Sequence, residues 1–240
     1  MRIKAVLAYD GSRFNGFQIQ NHTKNTVMYT ITKALHNLGV ESKVVGSGRT
    51  DSGVHATAQV IHFDLPPYWQ DLQKFATAFD KNLAPYVRLR NIERVSENFH
   101  ARYSAKRRAY RYLISRKPLS PFMAAYAFHA NYDKNLVDEA LKLFIGRHDF
   151  VYFMKTGSDT KSSVRTLFKA KRYEYRDFDV LYFEGDGFLR GQIRLIVDAL
   201  LKMGQKRMTL SQLQAQIEAK ERSSTTLAPP NGLYLCRIIY

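Results

Sequence analysis

Ile3 to Tyr9 is a short, mostly apolar run that reads as a strand, and Asp10-Gly11 ends it. The period then changes. Val27, Ile31, Ala34, Leu35 and Leu38 recur at helical spacing across 26–38, with Asn25 or Thr26 to cap and Gly39 to stop. Residues 40–45 read as a short strand. Gly46 to Gly53 places three glycines in eight residues and reads as a loop. Val54 to Phe63 reads as a strand, with Pro66-Pro67 as a break shortly beyond it. Leu72, Phe75, Ala76, Phe79 and Leu83 form the apolar stripe of a second helix. Residues 86–95 return to strand character through Val87, Leu89, Ile92 and Val95. The order β-α-β-β-α-β is that of a ferredoxin-like unit.

The second half is expected to repeat this order. Ala109 to Ser115 is strand-like, with Tyr110, Tyr112 and Ile114 on one face. Leu136 to Ile145 is helical, with Gly146 as its stop. Residues 164–174 and 179–184 read as a hairpin pair. An apolar helix over 190–203 ends at Gly204, Thr209 caps another through 220, and Leu233 to Tyr240 closes with a strand. The fold class expected is α+β: two ferredoxin-like halves sharing one continuous antiparallel sheet, with helices on one face. The halves are residues 1–103, which carry the Gly46–Gly53 loop, and 104–240, expected to complete an active-site cleft. Ser96 to Ser104 connects them, and the proline-bearing stretch 116–134 reads as a surface excursion.

Charge adds a partner to this picture. Lys and Arg total 37 against 21 Asp and Glu, a net +16 over 240 residues. Such an excess implies a polyanion, either nucleic acid or an anionic membrane surface. The 15 Tyr and 15 Phe favour RNA, since flat side chains stack on unpaired bases. A plainer reading also stands, in which the charge only prevents aggregation. The single cysteine, Cys236, excludes an internal disulfide and a cysteine-cluster zinc site, and fits a reducing, cytoplasmic compartment. No apolar run reaches the length of a membrane span, and Met1-Arg2-Ile3-Lys4 leads straight into a strand, so neither membrane nor signal peptide is expected.

The loop is where chemistry could reside. It sets Asp51 two residues from Arg49, on backbone that turns sharply. A carboxylate held beside a guanidinium can act as a nucleophile next to an anion-binding group. The same string also serves as a surface turn, with Asp51 bonding its own backbone.

Taken whole, Gly48-Arg49-Thr50-Asp51-Ser52-Gly53-Val54-His55-Ala56 closely resembles the catalytic signature of the TruA-type tRNA pseudouridine synthases. Four more stretches resemble that family in the same order: Tyr9 to Gln20, Phe99 to Ala105 with Tyr110-Arg111-Tyr112, Gly187-Phe188-Leu189-Arg190 with Arg194, and Ala228 to Leu235. Five ordered motifs are far more specific than one. Phe17 where Trp is usual, Met28 where Gln is usual, and Gly191-Gln192-Ile193 depart from the pattern.

The resemblance implies an isomerase that turns uridine into pseudouridine in the anticodon arm of tRNA, at positions 38–40, as a homodimer. It implies the roles too. Asp51 matches the essential aspartate, and Arg49 the arginine that helps displace the target base. Tyr110 matches the tyrosine that stacks on uracil. Arg194 matches the basic partner of the carboxylate, and Leu233 an apolar wall of the pocket. Each also has a plain alternative: Tyr110 as a strand aromatic, Arg194 as a solvated helix charge, Leu233 as core.

The chemistry suits these groups. Breaking N1–C1′ of uridine and rejoining C5 to C1′ oxidises nothing and adds no water, so no cofactor is expected. No metal is expected either, because the seven histidines show no paired ligand spacing. Arg13, Arg102, Lys106, Arg107 and Arg108, interleaved with Tyr103, Tyr110 and Tyr112, read as RNA-backbone contacts, although any one could be a solvated strand charge. His22, Lys24, Lys155, Lys161 and Arg165 could extend that surface. Two rivals remain: a non-catalytic RNA-binding protein on the same fold, and a hydrolase using Asp51. The hydrolase would normally need a second acid, and the sequence offers none in a comparable motif.

Overall fold

A computed structural model describes residues 1–157 and 160–240. They form two compact α+β units, Met1–Lys106 with Tyr234–Tyr240, and Arg107–Leu233.

The first unit runs β1 (Arg2–Tyr9), α1 (Val27–His36), β2 (Val45–Gly46), β3 (His55–Asp64), α2 (Leu72–Leu83) and β4 (Val87–Arg94). β1 lies between β3 and β4, antiparallel to both, with Ala5 opposite Ile61 on one side and Ile92 on the other. Burial alternates along β1, so Ile3, Ala5, Leu7 and Tyr9 face the core. Phe63 of β3 meets Phe75 and Phe79 of α2 at ring distances of 6.0 and 5.8 Å. Burying rings of this size contributes on the order of 2–3 kcal/mol each.

Both helices begin where a side chain satisfies an orphan amide. Thr26 accepts from Tyr29 N–H at 3.3 Å, and Asp71 accepts from Gln73 and Lys74 N–H at 2.9 Å. The strand expected over 40–45 shrinks to Val45–Gly46. Val40 still bonds the end of α1 through Leu35 O, and only Val45 and Gly46 reach the β3 ladder.

The second unit runs β5 (Arg107–Ser115), β6 (Phe128–His129), α3 (Lys134–Leu143), β7 (Gly146–Asp149), β8 (Val164–Tyr175), β9 (Phe178–Gly185), α4 (Gln192–Gly204) and α5 (Leu210–Ile217). Its strands order β5-β9-β8-β7, all antiparallel, and β6 adds in parallel to the end of β5. Helix α5 starts on a capping box between Thr209 and Gln212. It stops at Ile217, short of 220, and Ala219 follows at φ 56°. Helix α4 starts at Gln192 and not 190, because Gly191 sits at φ 73° just before it.

Helix α3 is shifted two residues toward the N-terminus of the expected span, because Asp133 caps it. Gly146 does not merely stop that helix. At φ 113° it opens β7, which pairs with β8 from Leu167 to Val164. The 116–134 stretch carries β6 and is tied down by Asn231, whose amide donates to Ala124 O and Ala127 O, both at 2.7 Å. The chain then enters β10 (Leu233–Ile239). Its Tyr234 and Leu235 pair in parallel with His55 and Ala56 of β3, in the first unit.

One buried group of the first unit titrates abnormally. His62 of β3 is 5% exposed, and its Nδ1 accepts the Ala101 amide at 3.0 Å. Burial, aided by His100 and Arg2, lowers its pKa to about 4 from the ordinary 6.5. A folded-state value below the unfolded one means the unfolded chain binds the proton more tightly. The contribution of His62 is complete above about 6.5 and is lost as pH falls toward 4. Unfolding free energy should therefore drop through that window, and drop less in His62→Asn. Equal slopes in denaturant titrations of the two proteins would refute the assignment.

Candidate active site

Two motifs that lie some thirty residues apart in sequence fold into one cluster in the first unit. The segment after β1 wraps under the Gly46–Gly53 loop. Tyr9 OH and Thr50 Oγ1 are 2.8 Å apart and buried. Phe17 N–H donates to Thr50 O at 3.1 Å, and Phe14 O accepts from Ser52 Oγ at 3.3 Å and from Gly53 N–H at 3.4 Å. On the other flank, buried Gln59 accepts from Ser47 Oγ at 2.7 Å and donates to Gly48 O at 2.9 Å. The loop closes on itself through Val54 N–H to Asp51 O at 3.2 Å, with Gly53 at φ 77°.

Backbone this crowded requires glycine. A Cβ on Gly11 would lie 2.0 Å from Val54 O. Gly16 sits at φ 102°, and a Cβ there would come within 3.2 Å of Thr50 O. Gly16→Ala should cost roughly 1–3 kcal/mol of stability for the forbidden backbone region. It should also lower turnover, because the carbonyl it presses is next to Asp51. A melting temperature and kcat both equal to wild type would show that the loop yields without consequence.

The result is a rigid platform with two side chains at its surface. Thr50 is buried, Asp51 is half-buried and Arg49 is exposed. His55 completes the floor. Its Nδ1 accepts the Gly11 amide at 3.0 Å, with Asp10 Oδ1 3.4 Å from the same nitrogen, and its ring stacks on Tyr234 at 4.6 Å. The departure at Phe17 is absorbed locally. The ring is buried, stacks near Tyr9 at 6.3 Å and fills the space above Gly46. Met28, also buried, bonds Phe17 O through its amide at 2.9 Å.

The other motifs converge in the second unit. Tyr110 of β5 is buried, opposite Phe183 in the ladder, and meets Phe188 edge-on at 5.2 Å. Tyr112 shares its face two residues on. The two differ in depth, for Tyr112 is fully buried and donates its hydroxyl to Pro229 O at 2.9 Å. Burial pushes the Tyr112 pKa up. Gly232 lies against that ring, where a Cβ would stand 2.8 Å away, and Leu233 beside it is buried.

Arg194 occupies the first turn of α4. Its Nε donates to Ala228 O at 2.7 Å, while Ala228 N–H donates to Arg194 O at 3.1 Å. This arginine is half-buried and anchored, not simply solvated. The departing segment is packed as well: Gln192 is buried, and its Oε1 accepts from Leu189 N–H at 2.8 Å.

The basic residues divide by how far the protein already uses them. Arg102 and Lys106 are exposed, Arg102 beside the Tyr103 ring at 5.7 Å. Arg13 lies over Tyr86 at 5.1 Å, with Asp10 at 3.7 Å. Arg107 bonds buried Glu184 at 3.0 Å, and Arg108 bonds Asp186 O at 3.0 Å. Of the 155–165 stretch, Lys155, Lys161 and Arg165 are described, while Ser158 and Asp159 lie outside the described residues. Sequence reasoning did not find Tyr9, His55 or Gln59 as supports of the loop. Their partners are 41, 44 and 11 residues away and are brought to them by tertiary folding, so spacing carries no signal for them.

A braced loop that presents a carboxylate and a guanidinium, on a strongly basic chain, fits the class of RNA-modifying enzymes. Comparison with known proteins says which. The family pattern described as tRNA pseudouridine synthase matches residues 5–104 and 140–240. A tRNA pseudouridine synthase A of Wolinella succinogenes is 46% identical over 98% of this chain and 93% of its own. One from Campylobacter jejuni is 41% identical over the whole of both chains, and one from Streptococcus uberis is 42% identical over 100% and 98%. A crystal structure of a Cbf5-Nop10-Gar1 complex is similar at 12% identity and a TM-score of 0.39, covering 98% of this chain and 48% of that one, too slight a likeness to argue from.

The chain belongs to the tRNA pseudouridine synthase family. It is a pseudouridine synthase, an isomerase with tRNA as its substrate. No helix among the described residues is long and apolar enough to cross a membrane.

Proposed function

We propose that the protein isomerises uridine to pseudouridine in the anticodon stem-loop, at positions 38–40, with Asp51 as the catalytic carboxylate. The observation that carries the proposal is the bracing of the Asp51 loop on both flanks by Tyr9, Phe14, Phe17 and Gln59. A nucleophile gains from such fixed placement, since misplacement by an ångström is expensive in rate. A surface turn would have no use for it.

In this reading the target base leaves its stack, at a cost of a few kcal/mol, and Arg49 fills the space it vacates. The exposure of Arg49 suits that movement. Tyr110 stacks on the uracil and its hydroxyl moves a proton. Arg194 is the basic partner of the carboxylate, and Leu233 lines the pocket. Arg13, Arg102, Lys106, Arg107 and Arg108 hold the RNA backbone, Arg107 and Arg108 with part of their hydrogen-bonding capacity already engaged. No cofactor enters, because the reaction only exchanges one bond to C1′ for another. The enzyme works in the cytoplasm as a homodimer. In this reading the two halves are residues 1–103 and 104–240, each of ferredoxin-like order.

The test is tRNA carrying tritium at uridine C5. Isomerisation makes C5 the glycosidic carbon, so the label must enter water. Mapping the product by carbodiimide-dependent primer stops should place it at 38–40. Release of free uracil would overturn the isomerase reading in favour of a hydrolase, and stops confined to another arm would overturn the assigned site.

A further inference from the structure

We propose that the sheet face of the second unit formed by Arg111, Lys169, Lys171, Tyr173 and Tyr182 binds unpaired nucleotides of the tRNA. The site is separate from the target uridine, and the inference rests on the proposed function for the identity of its RNA.

The ladder sets these side chains on one face. Arg172 of β8 turns toward the helices, where it bonds Asp138 of α3 at 3.0 and 2.7 Å, and Ala170 beside it is buried. Lys169, Lys171 and Tyr173 alternate with them and face the other way. In the same row, Tyr182 of β9 lies opposite Arg111 of β5 on one side and Lys171 of β8 on the other. Arg111 thus points away from Tyr110, on the opposite side of its strand. The five residues line a shallow depression of about 290 Å³.

Cations outnumber carboxylates on this face. Among the described residues, neither Arg111 nor Lys171 has an acidic partner within 4.0 Å. Glu184, a carboxylate on this face, is buried and already held by Arg107 at 3.0 Å, by Tyr182 OH at 2.8 Å and by Lys169 at 3.8 Å. A solvated sheet face normally mixes both signs. Here cations alternate with aromatic rings, Lys171 standing 5.9 Å from the ring of Tyr173. Phosphates suit the cations, and exposed base faces suit the tyrosines. A duplex hides its base faces and would leave the rings unused.

The experiment measures binding of a short fluorescein-labelled oligouridylate to the full-length protein by anisotropy, at moderate salt. Lys171→Glu and Tyr173→Ala should each weaken binding about tenfold, and Tyr173→Phe should restore it, because the stacking face is kept. With whole tRNA, KM should rise in the same two variants while kcat stays within about twofold of wild type. Unchanged melting temperatures exclude misfolding as the cause. Unchanged oligouridylate affinity in both variants overturns the proposal. So does equal weakening for a blunt RNA duplex, which would make this a backbone surface, or conversion of a wild-type dimer to monomer, which would make it a contact between copies. If the wild type binds the oligomer but releases no tritium from tRNA, the proposed function fails while this site stands.

Discussion

Asp51→Asn is expected to reduce turnover at least a thousandfold while folding and tRNA binding persist. Asparagine keeps the size and polarity of the side chain but cannot act as a carboxylate nucleophile or stabilise positive charge at C1′. Much of the loop's bracing does not depend on the Asp51 side chain. The hydrogen bonds that brace the loop run through Thr50, Ser52, Gly53 and Gly48, and Asp51 joins them through its backbone carbonyl, which the substitution keeps. Melting temperature, tRNA affinity and single-turnover tritium release should be measured together. Release above a thousandth of the wild-type rate would count against a direct role, since removing an essential nucleophile normally costs more.

A pair of tyrosines should separate chemistry from packing. Tyr110→Phe keeps the ring and removes a hydroxyl, so turnover should fall about 10²–10⁴-fold if that hydroxyl moves a proton, with little change in affinity. Tyr110→Ala should be worse, because the stacking platform goes as well. Tyr112→Phe should behave differently. Its hydroxyl is committed to Pro229 O, and leaving that carbonyl unpaired costs roughly 1–3 kcal/mol. Stability should fall and turnover should hold. Catalytic loss in the Tyr112 variants, with none in the Tyr110 variants, would mean that the wrong tyrosine has been placed in the pocket.

The difference between these two residues also marks the limit of what the sequence discloses. Their shared face follows from the two-residue period of a strand. Which one is sealed under Pro229 and Gly232 depends on a segment more than a hundred residues later. Helices with clear stripes and caps were legible, and α2 occupies Leu72–Leu83 as its spacing predicts. β6 and β7 were not, because two and four residues carry no usable period and exist only through their partners. The motif loop was legible as a string, but its anchors were not. His55 reads as one more motif residue until its ring is seen accepting the Gly11 amide. The basic run from Arg102 to Lys117 contains no acid, yet Glu184 reaches Arg107 across the ladder and Glu174 reaches Arg116.

The placement of β10 affects how the protein can be synthesised and divided. Tyr234 and Leu235 complete the edge of β3 beside His55, Lys106 N–H bonds Ile239 O at 2.8 Å, and the Tyr240 hydroxyl bonds Ala101 O at 2.8 Å. A ribosome therefore delivers the Asp51 loop early but its last supporting strand only after the entire second unit has emerged. Until then the newly made first unit carries an open strand edge and an uncovered histidine ring, which is the condition under which nascent chains recruit chaperones or pair wrongly. Cutting the chain after residue 106 would leave that state permanent, so the two units cannot be exchanged between relatives as independent cassettes unless the closing strand travels with the first.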